Sequence, residues 1–196
     1  RCDPNDILSL ITLSLIIIWS GMFLLLYGAG TFRKALFPAT FLLFTIPVPL
    51  FVLLPYVRFL QIFSTEAANI LFKASRITYV REGFVFHLPQ ISIEVADVCS
   101  GIRSSLALLI TSIIAGKLFL QKPWSKIILA VFVLPITVFK NGLRIAGLSI
   151  LGTYVDERIL HSEIHRQGGK PFFILALIFL GMVLWLLKRL ERRKIV

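Results

Sequence analysis

Residues 7–29 read ILSLITLSLIIIWSGMFLLLYGA, an apolar stretch without a single charged side chain. A helix needs about 20 predominantly apolar residues to cross the hydrocarbon core of a bilayer, so this stretch predicts a transmembrane helix. Four further apolar stretches predict further spans, at residues 35–57, 103–121, 124–150 and 172–187. The expected fold is an all-α polytopic membrane protein, a bundle of about five transmembrane helices.

Composition supports the same class. Hydrophobic residues make up 57% of the 196-residue chain and charged residues 16%, and the mean hydropathy is +0.88. The spans leave no room for a separate soluble domain, so we expect one transmembrane domain over residues 1–196. The net charge of +11 does not indicate nucleic-acid binding, because the cations lie between the apolar stretches rather than on a soluble basic surface.

The distribution of Lys and Arg predicts the orientation. Three short segments, residues 31–34, 116–126 and 188–196, contain ten of the 21 cations and a single acid, Glu191. Positively charged loops stay on the cytoplasmic side, so these segments and the C-terminus are expected there. The N-terminus and the segments of about 58–102 and 151–171 are then external.

The segment between the second and third spans predicts smaller elements. Three prolines in FTIPVPLFVLLPY (residues 44–56) are expected to distort the second span. Residues 59–75 have the spacing of an amphipathic helix lying at the membrane interface. Residues 77–98 alternate β-branched or aromatic residues with polar ones around Arg81-Glu82-Gly83, which predicts a short external β-hairpin.

Cys99 lies where this external segment enters the third span. A helix N-terminus favours the thiolate form of a cysteine, and Arg103 would follow one turn later on the same helical face. The alternative is a buried cysteine that acts only as a small apolar residue. With only Cys2 and Cys99 in the chain, a disulfide framework is excluded, and the paired spacing of a zinc or iron–sulfur site is absent.

Polar residues also interrupt the outer end of the fourth span, in FKNGLRIAG, residues 139–147. Polar side chains at membrane depth are costly and indicate function. Snorkelling to the interface is the preferred interpretation of Lys140. Arg144, with Asn141 one turn before it, is expected to point into the bundle, where a guanidinium can bind an anion.

Two histidines lie four residues apart in LHSEIHRQGGKPF, residues 160–172. A metal site at His161 and His165 would need a third ligand, so a general base is the preferred role for one of them. Cys99, Arg144 and His165 come from three segments that the predicted topology places at one face. They would supply the nucleophile, the oxyanion binder and the base that acyl transfer requires.

Three motifs together resemble the exosortase and archaeosortase family of membrane-embedded cysteine transpeptidases. They are CSGIRS at 99–104, NGLR at 141–144, and a histidine four residues before a glycine, His165 to Gly169. The resemblance covers about residues 40–190. Members of the family generally have more spans before this core, which suggests a short form or a fragment.

The resemblance implies an enzyme of the cytoplasmic membrane with an external active site. It would cleave the C-terminal sorting signal of exported proteins, made of a motif, a transmembrane helix and a basic tail, and transfer the acyl group from a thioester to a lipid or glycan acceptor. It implies Cys99 as nucleophile, Arg144 as oxyanion or carboxylate binder and His165 as base, without metal or cofactor. Supporting or alternative residues are Ser100, Arg103, Asn141, His161 and Arg166.

Two other functions fit the same residues. In a transporter or channel, Lys140, Arg144 and the histidines would line a polar path, but the prolines of the second span have no counterpart in a matching second half. In a non-catalytic scaffold for envelope assembly, each polar residue could be replaced singly without effect.

Overall fold

The computed structural model describes residues 3–89, 91–95, 101–154 and 169–193. The chain forms two compact units, Arg1–Tyr56 and Val57–Val196. Its elements, in chain order, are α1 (Pro4–Thr40), a 3-10 helix (Phe41–Thr45), α2 (Leu50–Ala74), β1 (Val80–Glu82), β2 (Val85–His87), β3 (Ser92–Glu94), α3 (Ile102–Phe119), α4 (Pro123–Val131), α5 (Val133–Tyr154) and α6 (Gly169–Arg193).

The first predicted span is confirmed as the first part of α1. The helix begins at Pro4, where the N-cap Asp3 accepts a hydrogen bond from the backbone N–H of Asn5 at 2.8 Å. Gly28 interrupts it with φ 76° and ψ 165°, a conformation open to glycine and unfavourable for other residues. The helical direction therefore changes close to the predicted end of the span at residue 29.

The second predicted span, residues 35–57, is not a single helix. The 3-10 helix ends at Thr45, the chain is non-helical through Pro47 and Pro49, and α2 begins at Leu50. Pro47 and Pro49 lack the N–H that a continuous helix would need, which favours the break. Pro55, the third proline of the predicted distortion, lies inside α2 without ending it.

Polar side chains from the start of α1 bind the backbone of this proline segment. The hydrogen bonds run from Asn5 Nδ2 to the carbonyl of Val48 (2.9 Å), from Ser9 Oγ to that of Pro47 (2.7 Å), and from the N–H of Leu50 to Asp6 Oδ1 (2.9 Å). Backbone groups that leave a helix at membrane depth need such partners, because the bilayer core offers no water.

The amphipathic helix predicted at residues 59–75 is present as the larger part of α2. Its polar side contacts the sheet: Glu66 forms an ion pair with Arg81 at 2.7 Å, and Tyr79 Oη donates to Asn69 Oδ1 at 2.5 Å. Its position at the membrane interface stays a prediction.

The predicted hairpin is present and is extended by a third strand. β1, β2 and β3 form an antiparallel sheet in that order, with Arg81 opposite Phe86 and Phe86 opposite Ile93. Phe86 is buried against Phe72 of α2. The core of this region joins α2, the sheet and α5, and it contains Ala68, Phe72, Phe86, Leu88, Ile91, Val95, Ile145 and Ala146.

The three remaining predicted spans are confirmed by α3, by α4 with α5, and by α6. A break at Phe132 separates α4 from α5, because Pro135 has no N–H to donate to the carbonyl of Val131. These helices share a second core, formed by Leu108, Leu120, Leu129, Val133, Ile136, Ala176, Leu180 and Leu187.

Five helical segments of the described residues are long and apolar enough to cross a membrane. They are Pro4–Thr45, Leu50–Ala74, Ile102–Phe119, Pro123–Gly152 and Gly169–Arg192. Many of their large apolar side chains are exposed, for example Leu25, Phe51 and Leu118, as expected of surfaces in contact with lipid. The predicted class, a helical membrane protein with a small antiparallel sheet, is confirmed.

Candidate active site

The predicted site residues divide into two groups. Arg103, Asn141 and Arg144 belong to the described part of the chain, on α3 and α5. Cys99, Ser100, His161, His165 and Arg166 lie outside the described residues, so their roles stay predictions. The structure does describe the residues of α3 and α5 that belong to the predicted site. It also describes the chain up to Val95, just after the sheet.

Gly101 is the N-cap of α3 and has a left-handed conformation, φ 78° and ψ 18°. No side chain caps this helix end at the N-cap position, where the first backbone N–H groups of a helix have no partner within the helix. The start of α3 is therefore a source of hydrogen-bond donors and of partial positive charge.

The left-handed Gly101 also corrects one part of the sequence interpretation. Cys99 and Arg103 would share a helical face only if the helix ran continuously through Gly101, but α3 begins at Ile102. Arg103 is exposed on the first turn of the helix. The four-residue spacing therefore gives no support to Arg103 as the cation beside the thiol.

Lys140 occupies the position next to Gly101 instead. Its ammonium donates a hydrogen bond to Ser104 Oγ at 2.5 Å, and Ser104 Oγ donates to the carbonyl of Gly101 at 2.8 Å. Lys140 is only 4% exposed, so the snorkelling interpretation was wrong: the hydroxyl of Ser104 and the space beside a glycine provide a buried site for the ammonium.

Gly101 is favoured here by its left-handed conformation, and it also lies close to the polar side chains of α5. A Cβ atom at this position would lie 3.3 Å from Lys140 Nζ and 3.5 Å from Asn141 Oδ1. Asn141 is fully buried, as expected of a side chain that points into the bundle. The start of α3 thus packs directly against the polar turn of α5.

Arg144 lies one turn beyond Lys140 on α5 and is half-buried. The positive charges of Arg144 and Lys140 are close enough to repel each other. Within the described residues, neither is within 4.0 Å of a carboxylate. Two cations in this setting favour an anion that is not part of the described chain.

A buried glutamine fixes the chain on the other side of the predicted nucleophile. Gln61 of α2 is 5% exposed and its Nε2 donates to the carbonyl of Val95 at 2.7 Å. The N–H of Val95 donates to the carbonyl of Phe84 at 3.0 Å. Hydrogen bonds from α2 and to Phe84 therefore hold Val95, the last described residue before the predicted nucleophile, in place.

Sequence reasoning missed the contributions of Gln61, Ser104 and Lys140. Lys140 carried a signal, a cation inside an apolar stretch, but the sequence could not show whether it reaches water or a buried partner. Ser104 is the last residue of the CSGIRS motif, but the motif did not indicate its contact with Lys140. Gln61 carried no signal, because a polar residue on an amphipathic helix is ordinary.

Fold and site together define a multi-pass membrane protein with a buried cationic site where a small sheet meets two membrane helices. The sequence model of the transmembrane exosortase family matches residues 3–183, and the chain belongs to this family. Membership supports a membrane transpeptidase role in general. No curated protein and no solved structure matches the chain.

Proposed function

We propose that the protein is a cysteine transpeptidase that cleaves the C-terminal sorting signal of exported proteins and transfers them to a lipid or glycan acceptor at the cell surface. The observation that carries the proposal is the family match over residues 3–183, which includes Cys99, Arg144 and His165. The buried cationic site on α3 and α5 supports it.

Chain connectivity supports Cys99 as the nucleophile of this site. Consecutive Cα atoms are about 3.8 Å apart, so Cys99 can be no farther than about 7.6 Å from Gly101, Cα to Cα. Gly101 contacts the polar turn formed by Lys140 and Asn141. Both the N–H groups at the start of α3 and the Lys140 ammonium favour a thiolate within this range.

In the proposed reaction, the Cys99 thiolate attacks the carbonyl carbon of the scissile peptide bond. Arg144 stabilises the resulting oxyanion, together with N–H groups at the start of α3. The C–N bond then breaks, and His165 in its protonated form donates a proton to the leaving amine. The acyl group remains on sulfur as a thioester, which an acceptor nucleophile attacks while His165 removes its proton.

The proposed substrate is an exported protein that ends in a recognition motif, a transmembrane helix and a basic tail. Its helix can lie beside the spans, with the basic tail on the cytoplasmic side and the motif at the external face. This arrangement agrees with the predicted orientation, in which the sheet and the start of α3 are external.

The test is processing of such a substrate, co-expressed with the full chain in a membrane. Cys99→Ala is expected to insert normally and to leave the substrate uncleaved, because the proposed site then has no thiol to form the thioester. Cys2→Ser is the matched control and should process the substrate at the parent rate. Normal cleavage by Cys99→Ala, measured by the size of the substrate on a gel, would rule out cysteine catalysis at this position.

A further inference from the structure

A cavity at the end of α6 lies outside the proposed reaction. It is an open cleft of about 340 Å³ on the surface of this helix. Its lining residues are Trp185, Lys188, Arg189 and Arg192, whose spacing places them on one face of the helix. The cavity is therefore strongly cationic, with one aromatic wall.

The protein itself does not neutralise these cations within its described part. The only acid on α6 is Glu191, which is 6% exposed. Its two carboxylate oxygens accept hydrogen bonds from the backbone N–H groups of Gln121 and Lys122, each at 3.0 Å. No ion pair within 4.0 Å joins Lys188, Arg189 or Arg192 to a described carboxylate, so their charge is available to an external anion.

The cavity lies where a membrane span ends. The candidate span of α6 runs from Gly169 to Arg192, so its cationic end reaches the headgroup region. The guanidinium of Arg189 stacks over Trp185 at 5.3 Å, and Lys188 Nζ lies 5.3 Å from the ring of Phe119. Trp185 is 58% exposed, and tryptophan with neighbouring cations is typical of the membrane–water interface.

We propose that this cavity binds an anionic phospholipid. Lys188, Arg189 and Arg192 contact the phosphate, since clustered cations at the membrane surface bind anionic headgroups, and Trp185 contacts the glycerol and upper acyl chain. The charge of the ligand complements three cations that have no described counter-ion. The inference is independent of the sorting reaction.

Trp185 provides a reporter for the test. The chain has three tryptophans, and replacing Trp19 and Trp124 by Phe leaves only the one in the cavity. The full-length protein is reconstituted in phosphatidylcholine vesicles with increasing fractions of brominated phosphatidylglycerol or brominated phosphatidylcholine, and quenching of Trp185 fluorescence is measured. Because each cation near an anionic surface changes the affinity by about fivefold, quenching by phosphatidylglycerol is expected at a severalfold lower mole fraction.

Two double variants distinguish a specific lipid site from a general effect of positive surface charge. Lys188→Gln with Arg192→Gln keeps Arg189 stacked on Trp185 and is expected to reduce the preference for phosphatidylglycerol severalfold, because two of the three cations are removed. Arg33→Gln with Lys34→Gln removes two exposed cations elsewhere and is expected to leave the preference unchanged.

Three results would overturn the proposal. The first is equal quenching by the two brominated lipids in the protein whose cavity is unchanged. This result does not depend on whether the cavity variants fold. The second is an equal loss of preference in both double variants. The third is complete reversal by inorganic phosphate at constant ionic strength, which would identify a free-phosphate site instead.

Discussion

At the scale of single residues, Lys140 shows what the sequence could predict and what it could not. The sequence indicated a costly cation in an apolar stretch, and it indicated Arg103 as the cation near Cys99. The structure buries Lys140 against Ser104 and Gly101 and leaves Arg103 exposed. The difference depends on the left-handed Gly101, because one non-helical residue changes which side chains share a face.

Lys140→Met is expected to reduce the rate of substrate processing. The reason is that the ammonium favours a thiolate near the start of α3; a loss of about 10-fold or more is expected. The thermal unfolding temperature should stay the same or rise, since a buried ammonium without a described carboxylate is costly. Processing is measured on the substrate, and unfolding in detergent.

Ser104→Ala provides the matched comparison for Lys140. It removes the acceptor of the same hydrogen bond, so the double variant is expected to process substrate no more slowly than Lys140→Met alone. Additive losses would show that the two residues act separately. An unchanged rate in Lys140→Met would contradict a role of the ammonium in the site.

At the scale of elements, the contact between α5 and α2 decides how closely the helices approach. A Cβ atom on Gly142 would lie 2.6 Å from Ala67 Cβ and 3.1 Å from the backbone N of Ala68. Any larger residue therefore forces the two helices apart. NGLR thus contains a packing glycine between Asn141 and Arg144, which the motif alone did not reveal.

Gly142→Ala is expected to destabilise the protein by about 1–3 kcal/mol, the usual cost of overpacking. Gly181→Ala on α6 is the control: it makes the same change in a helix, but no atom lies within 4 Å of the new methyl group. It should be neutral or stabilising, because alanine is the better helix former by about 1 kcal/mol. The measurement is the thermal unfolding temperature of both variants. An equal change in that temperature would refute the packing role of Gly142.

Element boundaries explain the main difference between prediction and structure. Apolar composition predicted the spans over α3, α4 with α5, and α6. For residues 35–57 the prolines predicted a distorted span, whereas the structure has two separate helical segments. The backbone groups around the break at Pro47 and Pro49 form hydrogen bonds with the side chains of Asn5, Asp6 and Ser9. These residues lie more than 35 positions earlier in the chain. A local reading of hydropathy cannot detect such partners.

At the scale of the whole molecule, composition predicted the class, because only a membrane can accommodate so much exposed apolar surface. One open question of position concerns α2, which the sequence places at the membrane interface. Its residue Ala67 contacts Gly142, next to Asn141, whose side chain contacts Gly101 at the start of α3. This part of α2 therefore lies near the beginning of α3. Leu50–Ala74 is also long and apolar enough to cross a membrane, so the interfacial position stays a prediction.

The predicted orientation places the C-terminus in the cytoplasm. Alkaline phosphatase fused after residue 196 is expected to be inactive, and green fluorescent protein at the same point should be fluorescent, since the cations of 188–196 stay inside. A phosphatase fusion within residues 155–168 serves as the control and should be active. The opposite pattern would invert the topology and with it the external site.

The carboxylate of Glu191 has a consequence for the time course of synthesis. Its partners, the N–H groups of Gln121 and Lys122, leave the ribosome about 70 residues before it does. Translation adds about 5–20 residues per second. During the several seconds before Glu191 is made, those amides can only donate hydrogen bonds to other acceptors, such as water. The start of α4 therefore gains these two carboxylate partners only after α6 has been translated.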